Sequence, residues 1–336
     1  MRVLHRSASR GPGRDHRAHR PRDGLGPRAN VNSAPLVLSV QHFCIHDGPG
    51  VRSVVFVKGC PLRCSWCQNP ESYSAEAQLG FKAHLCIGCR SCVQACPHGA
   101  REAPGLPAQD RCRRCFACVQ ACPAGALVRY GEVRTVDEVL RELRPEFPLM
   151  QDSGGGVTLS GGEPTMPPDF CAELAGRLRA DGLHVAMETC GQFTLDRVDA
   201  LLCCLDLVLF DLKLYQVEAL REHCASTSSR IRSNLVTLAR RAGSQRGPCV
   251  WPRLPLVPGI TDTRENLRAW AHLLREIGLS RMTLVPHHAL GASKRTWLGM
   301  PPGPARRSAT FADMASARDA LAQEGVMAFE PGEEDW

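Results

Sequence analysis

The sequence predicts an α/β protein: an open, partial (β/α)6-type barrel of parallel strands that carries a small cysteine-rich insertion. Three observations predict it. Downstream of residue 135, short apolar runs alternate with stretches of helical periodicity, the pattern of a parallel sheet with helices outside. The runs end in glycine or polar motifs, as strands do where a barrel keeps its site at their C-terminal ends. Eighteen cysteines are present, and eleven fall between Cys60 and Cys122, mostly two or three residues apart. Such gaps suit metal chelation better than disulfides.

The elements follow in order. Residues 1–33 hold eight arginines and two aspartates without apolar periodicity and read as a disordered tail. A start codon placed too far upstream or an Arg-rich transit peptide would explain them. Order is expected from Ala34. Leu36–Val40 and Val51–Val57 are strands separated by the turn signal Asp47-Gly48-Pro49-Gly50. The second strand runs into the cysteines at 60–67. Residues 82–125 form the insertion, and residues 126–336 complete the barrel begun at 34–81. A helix over 135–143 buries Val136, Val139, Leu140 and Leu143 on one face. Pro167 and Pro168 open a helix that Gly182 stops. His184–Glu188, Leu207–Phe210, Val250–Leu256 and Met282–Val285 are further strands, with helices over 195–204, from a capping-box variant at Asp262 and Glu265, and over 309–323. The strand count is six or seven.

Composition excludes several classes. The net charge of +7 is almost all in the tail, whose balance is +6, so the remainder is near neutral and gives no warrant for a nucleic-acid partner. No apolar run reaches the roughly 18 residues of a membrane span. No apolar segment of a secretion signal follows the basic start, and the chelating cysteines fit a reducing compartment, so a cytoplasmic location is expected.

The chemistry lies in the cysteine spacing. Cys60-x-x-x-Cys64-x-x-Cys67 sits on one short loop with no fourth cysteine close behind. Three thiolates can hold three corners of a cubane iron–sulfur cluster and leave one iron open, and an open metal position is where chemistry happens. A zinc knuckle is the alternative. In the insertion, Cys86-x-x-Cys89-x-x-Cys92-x-x-x-Cys96-Pro97 recurs as Cys112-x-x-Cys115-x-x-Cys118-x-x-x-Cys122-Pro123. This is the bacterial ferredoxin signature twice over, in which the fourth cysteine of each run serves the other cluster. Cys86, Cys89, Cys92 and Cys122 would hold one cubane, and Cys112, Cys115, Cys118 and Cys96 the second. A pair of zinc sites would need only two CxxC pairs.

These residues resemble a known family. Cys60-x-x-x-Cys64-x-Trp66-Cys67 is similar to the cluster loop of radical S-adenosylmethionine (SAM) enzymes, which implies the partial TIM barrel of that type. More narrowly, Asp47-Gly48-Pro49-Gly50-Val51-Arg52 running into Lys58-Gly59-Cys60-Pro61-Leu62-Arg63-Cys64, the doubled cysteine run, and a downstream series resemble the activating enzymes of glycyl radical enzymes. The downstream series is Gly161-Gly162-Glu163-Pro164, Glu188-Thr189-Cys190-Gly191, Asp211-Leu212-Lys213, Arg253 through Pro258-Gly259, and Pro286-His287-His288. The resemblance spans about residues 36–295.

It implies an oxidoreductase with three [4Fe-4S] clusters. Cys60, Cys64 and Cys67 hold the one whose open iron is chelated by SAM. An electron then cleaves SAM to methionine and a 5′-deoxyadenosyl radical, which takes a hydrogen atom from a glycine Cα of a partner glycyl radical enzyme. It also implies roles. Trp66 and Gln68 contact SAM near its adenine, and Gly162 approaches its methionine part. Asp211, Leu212 and Lys213, with Glu188, lie near the SAM carboxylate, where a monovalent cation would bridge. Arg253 and His288 reach the carboxylate or ribose, and His287 is the less favoured of the adjacent histidines. Flavodoxin or ferredoxin would supply electrons.

Cys44, Cys171, Cys190, Cys203, Cys204, Cys224 and Cys249 have no chelating spacing and are expected to be structural. The stretch Cys224–Ser228 departs from the resemblance, since relatives carry a Thr-Gly-x-Ser-Asn-like turn there, and the basic tail has no counterpart. Two other readings compete: radical chemistry on a small molecule or peptide, and an electron carrier without catalysis.

Overall fold

A computed structural model describes residues 36–227 and 229–334. The tail, Ala34 and Ser228 lie outside the described residues. In chain order the strands are β1 Leu36–Cys44, β2 Arg52–Val57, β3 Gln78–Phe81, β4 Leu127–Tyr130, β5 Glu132–Val133, β6 Gly156–Gly161, β7 His184–Thr189, β8 Leu207–Asp211, β9 Cys249–Leu256, β10 Arg281–Pro286 and β11 Met327–Phe329. The helices are α1 Ser91–Gln94, α2 Ala117–Gln120, α3 Val136–Leu143, α4 Phe147–Asp152, α5 Pro168–Ala180, α6 Leu195–Leu202, α7 Val217–Cys224, α8 Arg230–Gly243, α9 Arg264–Glu276, α10 Ala292–Trp297 and α11 Phe311–Gln323.

Nine strands form one sheet in the order β11-β10-β9-β8-β7-β6-β2-β1-β5. From β2 to β11 every pairing is parallel, while β1 runs antiparallel to β2 and β5 antiparallel to β1. The sheet is mostly parallel and consistent with a partial barrel. Its strands are apolar on both faces because one face packs on helices and the other on the barrel interior. Val55, Val57, Leu159, Met187, Phe210, Leu254 and Leu284 are fully buried.

The helices begin as their sequences dictate. Thr135 and Glu138 form the reciprocal capping box of α3, whose buried residues are Val136, Val139, Leu140 and Leu143. Thr310 and Asp313 do the same for α11. At α9 the expected capping pair is corrected. Thr263 is the cap and accepts from the Asn266 amide, while Asp262 accepts from the Gly259 amide one turn earlier. Seven strands are parallel, within the six or seven expected, and one of them, β11 after the last helix, had no place in the sequence reading.

Residues 82–126 sit between the strands of an antiparallel pair, β3 and β4, that stands apart from the main sheet. Inside it the repeat is visible in backbone. Arg90 and Phe116 both adopt left-handed φ, 61° and 58°, directly before the matching short helices α1 and α2. The described residues belong to one compact unit.

Candidate active site

β2 ends at Val57 and delivers the chain into the Cys60–Cys67 loop at the C-terminal ends of the parallel strands. The loop is closed at its base by Gly59 N–H donating to Ser72 O at 2.9 Å and Cys60 N–H to Tyr73 O at 3.4 Å. Tyr73 Oη crosses beneath it to Cys64 O at 2.7 Å. Its far side is held by the end of α7, where Arg63 N–H donates to Cys224 O at 2.9 Å and Ser65 N–H to His223 O at 2.7 Å. Lys294 of α10 bonds Asn69 and Glu71 at 2.7 and 2.6 Å, and Arg306 reaches Ser65 Oγ at 2.8 Å. Four elements far apart in sequence thus fix one loop.

A cleft of about 440 Å³ opens at this end of the barrel. Cys60, Cys64 and Cys67 line it with Trp66, Gln68, Gly162, Glu188, Asp211, Lys213, Arg253 and His288. Leu212 alone among the expected site residues faces elsewhere: its side chain is fully buried in the hydrophobic core, because alternate residues of an extended chain point to opposite faces. Its amide donates to Arg253 O at 2.6 Å, so it ties two cleft-lining segments together by backbone. His287, the less favoured histidine, also lines the cleft and is the more buried of the pair. A second cavity of about 200 Å³ shares Trp66, Gln68, His287 and His288 and extends toward Arg295 and Arg306.

The charges are layered. Glu188 accepts from Ser160 Oγ and from Arg253 Nη1. Burial still raises the Glu188 carboxyl, with Arg253 opposing that shift. Asp47, on the Asp47–Gly50 turn, approaches Arg253 at 3.9 Å. Asp211 pairs with Lys213 at 3.1 Å. Lys213 is held by α9, as Asn266 Nδ2 donates to its carbonyl at 3.0 Å and Trp270 Nε1 at 3.4 Å. Glu163 is fully buried and accepts from Thr189 Oγ1 and Cys190 N–H, both at 2.8 Å, locking the end of β6 to the end of β7. Gly162 is glycine because a Cβ there would overlap the Gly59 carbonyl oxygen at the mouth of the cysteine loop.

Two cysteines expected to be merely structural lie at the site. Cys190 lies beside Cys60 and Cys224 beside Cys64, each close enough to perturb its neighbour's thiol. Neither had a spacing signal, since each meets its partner more than 100 residues away. Burial pushes the Cys67 thiol up to about 12, so the metal-free loop keeps that thiol protonated. Loading an iron–sulfur group would therefore release a proton, as metal binding to thiols generally does.

The residues fit such a group and a carboxylate-bearing ligand. Three thiols share the cleft with a buried Lys213, and among the described residues the buried Arg253 Nε has no hydrogen-bond partner. Among the described residues no three His, Cys, Asp or Glu side chains converge tightly enough to hold a single ion. A lone zinc would have to draw its thiolates in to about 2.3 Å, whereas a cubane spreads its ligands over separate corners.

In the insertion two small cavities separate the eight cysteines. One is lined by Cys86, Cys89, Cys92 and Cys122, the other by Cys96, Cys112, Cys115 and Cys118. Each run of four thus lends its last cysteine to the other cavity. Arg101, buried, lines the second cavity and donates from Nη1 to the Gly105 carbonyl, and among the described residues its Nη2 has no hydrogen-bond partner.

Fold and cleft together define a class. The family model of the radical SAM superfamily matches residues 54–271. Streptococcus suis SuiB bound to its precursor peptide SuiA shares the fold at a TM-score of 0.50, with 12% identity, over 82% of this chain and 47% of that one. Among curated proteins, the isethionate sulfite-lyase activating enzyme of Nitratidesulfovibrio vulgaris is 39% identical over 80% of this chain and 89% of its own length. The benzylsuccinate synthase activating enzyme of Thauera aromatica is 38% identical over 79% and 82%. The choline trimethylamine-lyase activating enzyme of Oleidesulfovibrio alaskensis is 35% identical over 80% and 88%. The chain belongs to the radical SAM superfamily and, within it, to the activating enzymes of glycyl radical enzymes.

Proposed function

We propose that the chain activates a partner glycyl radical enzyme by taking one hydrogen atom from a glycine Cα of that partner. The observation that carries this reading is the joining of Cys60, Cys64 and Cys67 with Lys213, Arg253 and Gly162 around one cleft at the strand C-termini. Relatives whose names attach them to different partners share this chemistry across most of their length, so the common sequence carries the activation step and not the choice of partner.

Cys60, Cys64 and Cys67 hold the [4Fe-4S] group, which when bound supplies the electron that splits SAM into methionine and a 5′-deoxyadenosyl radical. This chain's residues do the rest. Arg253, with its free Nε, and Lys213 neutralise the SAM carboxylate, and Glu188 and Asp211 keep those cations aimed into the cleft. A monovalent cation beside the two carboxylates would serve the same end. Gly162 leaves room for the methionine part. Trp66, Gln68 and His288 border both cavities and contact the adenine and ribose. The buried walls exclude water, so that the radical meets only the glycine presented to it.

The insertion, as residues 82–125, would hold two further [4Fe-4S] groups through its eight cysteines, and these would supply a relay for electrons from a flavodoxin or ferredoxin. The crossed grouping of its eight cysteines supports this. The cytoplasm supplies the reducing conditions, and among the described residues no helix is long and apolar enough to cross a membrane.

Anaerobic reconstitution tests the reading. Three cubanes give about twelve iron atoms per chain, and dithionite with SAM yields 5′-deoxyadenosine. Cys64→Ala loses about four irons and the deoxyadenosine together. About four irons in the wild type, or zinc in the insertion, would reject the two further clusters.

A further inference from the structure

The second cavity, on the outer side of the cysteine loop, has a wall of one sign. Ser65 and Cys67 of the loop line it on one side, His287, His288, Arg295 and Arg306 on the other, and no acidic residue borders it. Neighbouring cations are matched. Lys294 pairs with Glu71 at 2.6 Å, and Arg307 pairs with both oxygens of Asp313 at 2.5 and 2.7 Å. Arg306, the next residue, takes part in no ion pair among the described residues: burial lowers its pKa, and no carboxylate acts against that shift.

Arg306 is also the cation that reaches the loop. Its Nη2 donates to Ser65 Oγ at 2.8 Å, and among the described residues its buried Nε has no hydrogen-bond partner. Ser65 stands between Cys64 and Cys67. Its oxygen accepts from Arg306, so its hydroxyl hydrogen is left to donate, and among the described residues it meets no acceptor. The segment that carries Arg306 is itself anchored, since Ala309 N–H donates to His287 O at 2.9 Å.

An iron–sulfur group held by three thiolates gains a negative charge when it is reduced. Nearby positive charge and hydrogen bonds to its sulfurs stabilise that added charge. Lys213 and Arg253 face the loop from the cleft side, but Asp211 and Glu188 compensate them. Arg306 has no such carboxylate. We infer that Arg306 is a positioning residue that eases one-electron reduction of the group on Cys60, Cys64 and Cys67, by its own charge and by orienting Ser65. The inference rests on the reading of these three cysteines as a [4Fe-4S] site. A reductant such as dithionite gives up one electron, the iron–sulfur group accepts it, and no bond is made or broken.

Anaerobic redox titration of the reconstituted protein, followed by electron paramagnetic resonance, tests this. The signal of interest is the part of the reduced spectrum that Cys64→Ala lacks. Arg306→Gln, checked for full iron content, lowers the equilibrium constant for reduction about tenfold, which is about 59 mV for a one-electron couple. Arg306→Lys keeps the charge and stays within threefold of the wild type. Arg240→Gln removes the same charge near the end of α8, where the chain enters the start of β9 at the opposite end of the sheet, and also stays within threefold. A shift in Arg306→Gln no larger than in Arg240→Gln overturns the inference. An equal shift in Arg306→Lys overturns it too, because shape and not charge would then be the cause. Should Arg306→Gln fail to load iron, Ser65→Ala is read in its place, and an unchanged potential there overturns the role of Arg306. Absence of the signal from the wild type would instead overturn the three-cysteine site, and the inference with it.

Discussion

Lys213 carries its charge to the floor of the cleft because α9 fixes its backbone. Asn266 donates to the Lys213 and Thr261 carbonyls at 3.0 and 2.9 Å and accepts from the Tyr215 amide at 2.8 Å. Asn266→Ala removes three hydrogen bonds and leaves the Thr261 carbonyl and the Tyr215 amide without the side chain that satisfied them, while the Lys213 carbonyl keeps only the longer bond from Trp270, which costs about 2–3 kcal/mol. The melting temperature is expected to drop by roughly 5 °C, and an unchanged value would remove Asn266 from the positioning role. His184 shows how a buried neutral group makes stability depend on pH. Its Nδ1 lies 3.2 Å from Arg52 Nη2, and burial first, then the Arg52 charge, lowers its pKa to about 4. The unfolded chain takes up that proton near pH 6.5 and the folded chain only near 4. Between those values the unfolded state binds more protons, so stability falls as pH falls through that window. The melting temperature of the wild type should drop more than that of His184→Gln between pH 7.5 and 5.5; equal drops would contradict this. Sequence exposed residues whose chemistry is local, such as the eleven spaced cysteines. It hid residues whose meaning is a partner across the fold: Cys190 against Cys60, Cys224 against Cys64, Asp47 against Arg253.

At the scale of elements, the end of α7 is the part whose role changed most. In the sequence, Cys224–Ser228 stood out only as a departure from the family pattern. The structure shows that the start of this stretch first serves the cysteine loop, through the His223 and Cys224 carbonyls and the Cys224 thiol. Ala225 ends α7 in a left-handed conformation with φ 52°, which costs an L-residue about 1 kcal/mol. Ala225→Gly should therefore raise stability by roughly 0.5–1 kcal/mol with iron content unchanged, despite glycine's entropy. A loss of stability, measured by thermal melting, would show that the strain is absent. Long periodic elements were legible in sequence because pattern and capping agree, as at α3. Short ones were not: α1, α2, α10 and β11 run three to six residues and owe their form to packing. At α9 the sequence reading placed the cap at Asp262, and the geometry places it one residue later, at Thr263.

Across the whole molecule, the parallel strands serve one cleft. β2 presents the cysteine loop, β6 to β10 bring Gly162, Glu188, Asp211, Arg253 and His288 to the same end, and the insertion follows directly behind on β3 and β4. The alternation of strand and helix and the strand-end motifs made this arrangement readable before any coordinates. What they left unread was the inward face of Leu212, the antiparallel edge of β1 and β5, and the seventh parallel strand, because each is decided by packing and pairing rather than by local pattern. The central claim is that the cleft turns one electron and one SAM into a radical on another protein. The most direct measurement is anaerobic electron paramagnetic resonance of the reconstituted chain with SAM, dithionite and a glycyl radical enzyme from the same genome. The account predicts a glycyl radical doublet on the partner that disappears with Cys64→Ala or when the partner's glycine is replaced by alanine. Deoxyadenosine formed in full amount with no protein radical on that partner would contradict it.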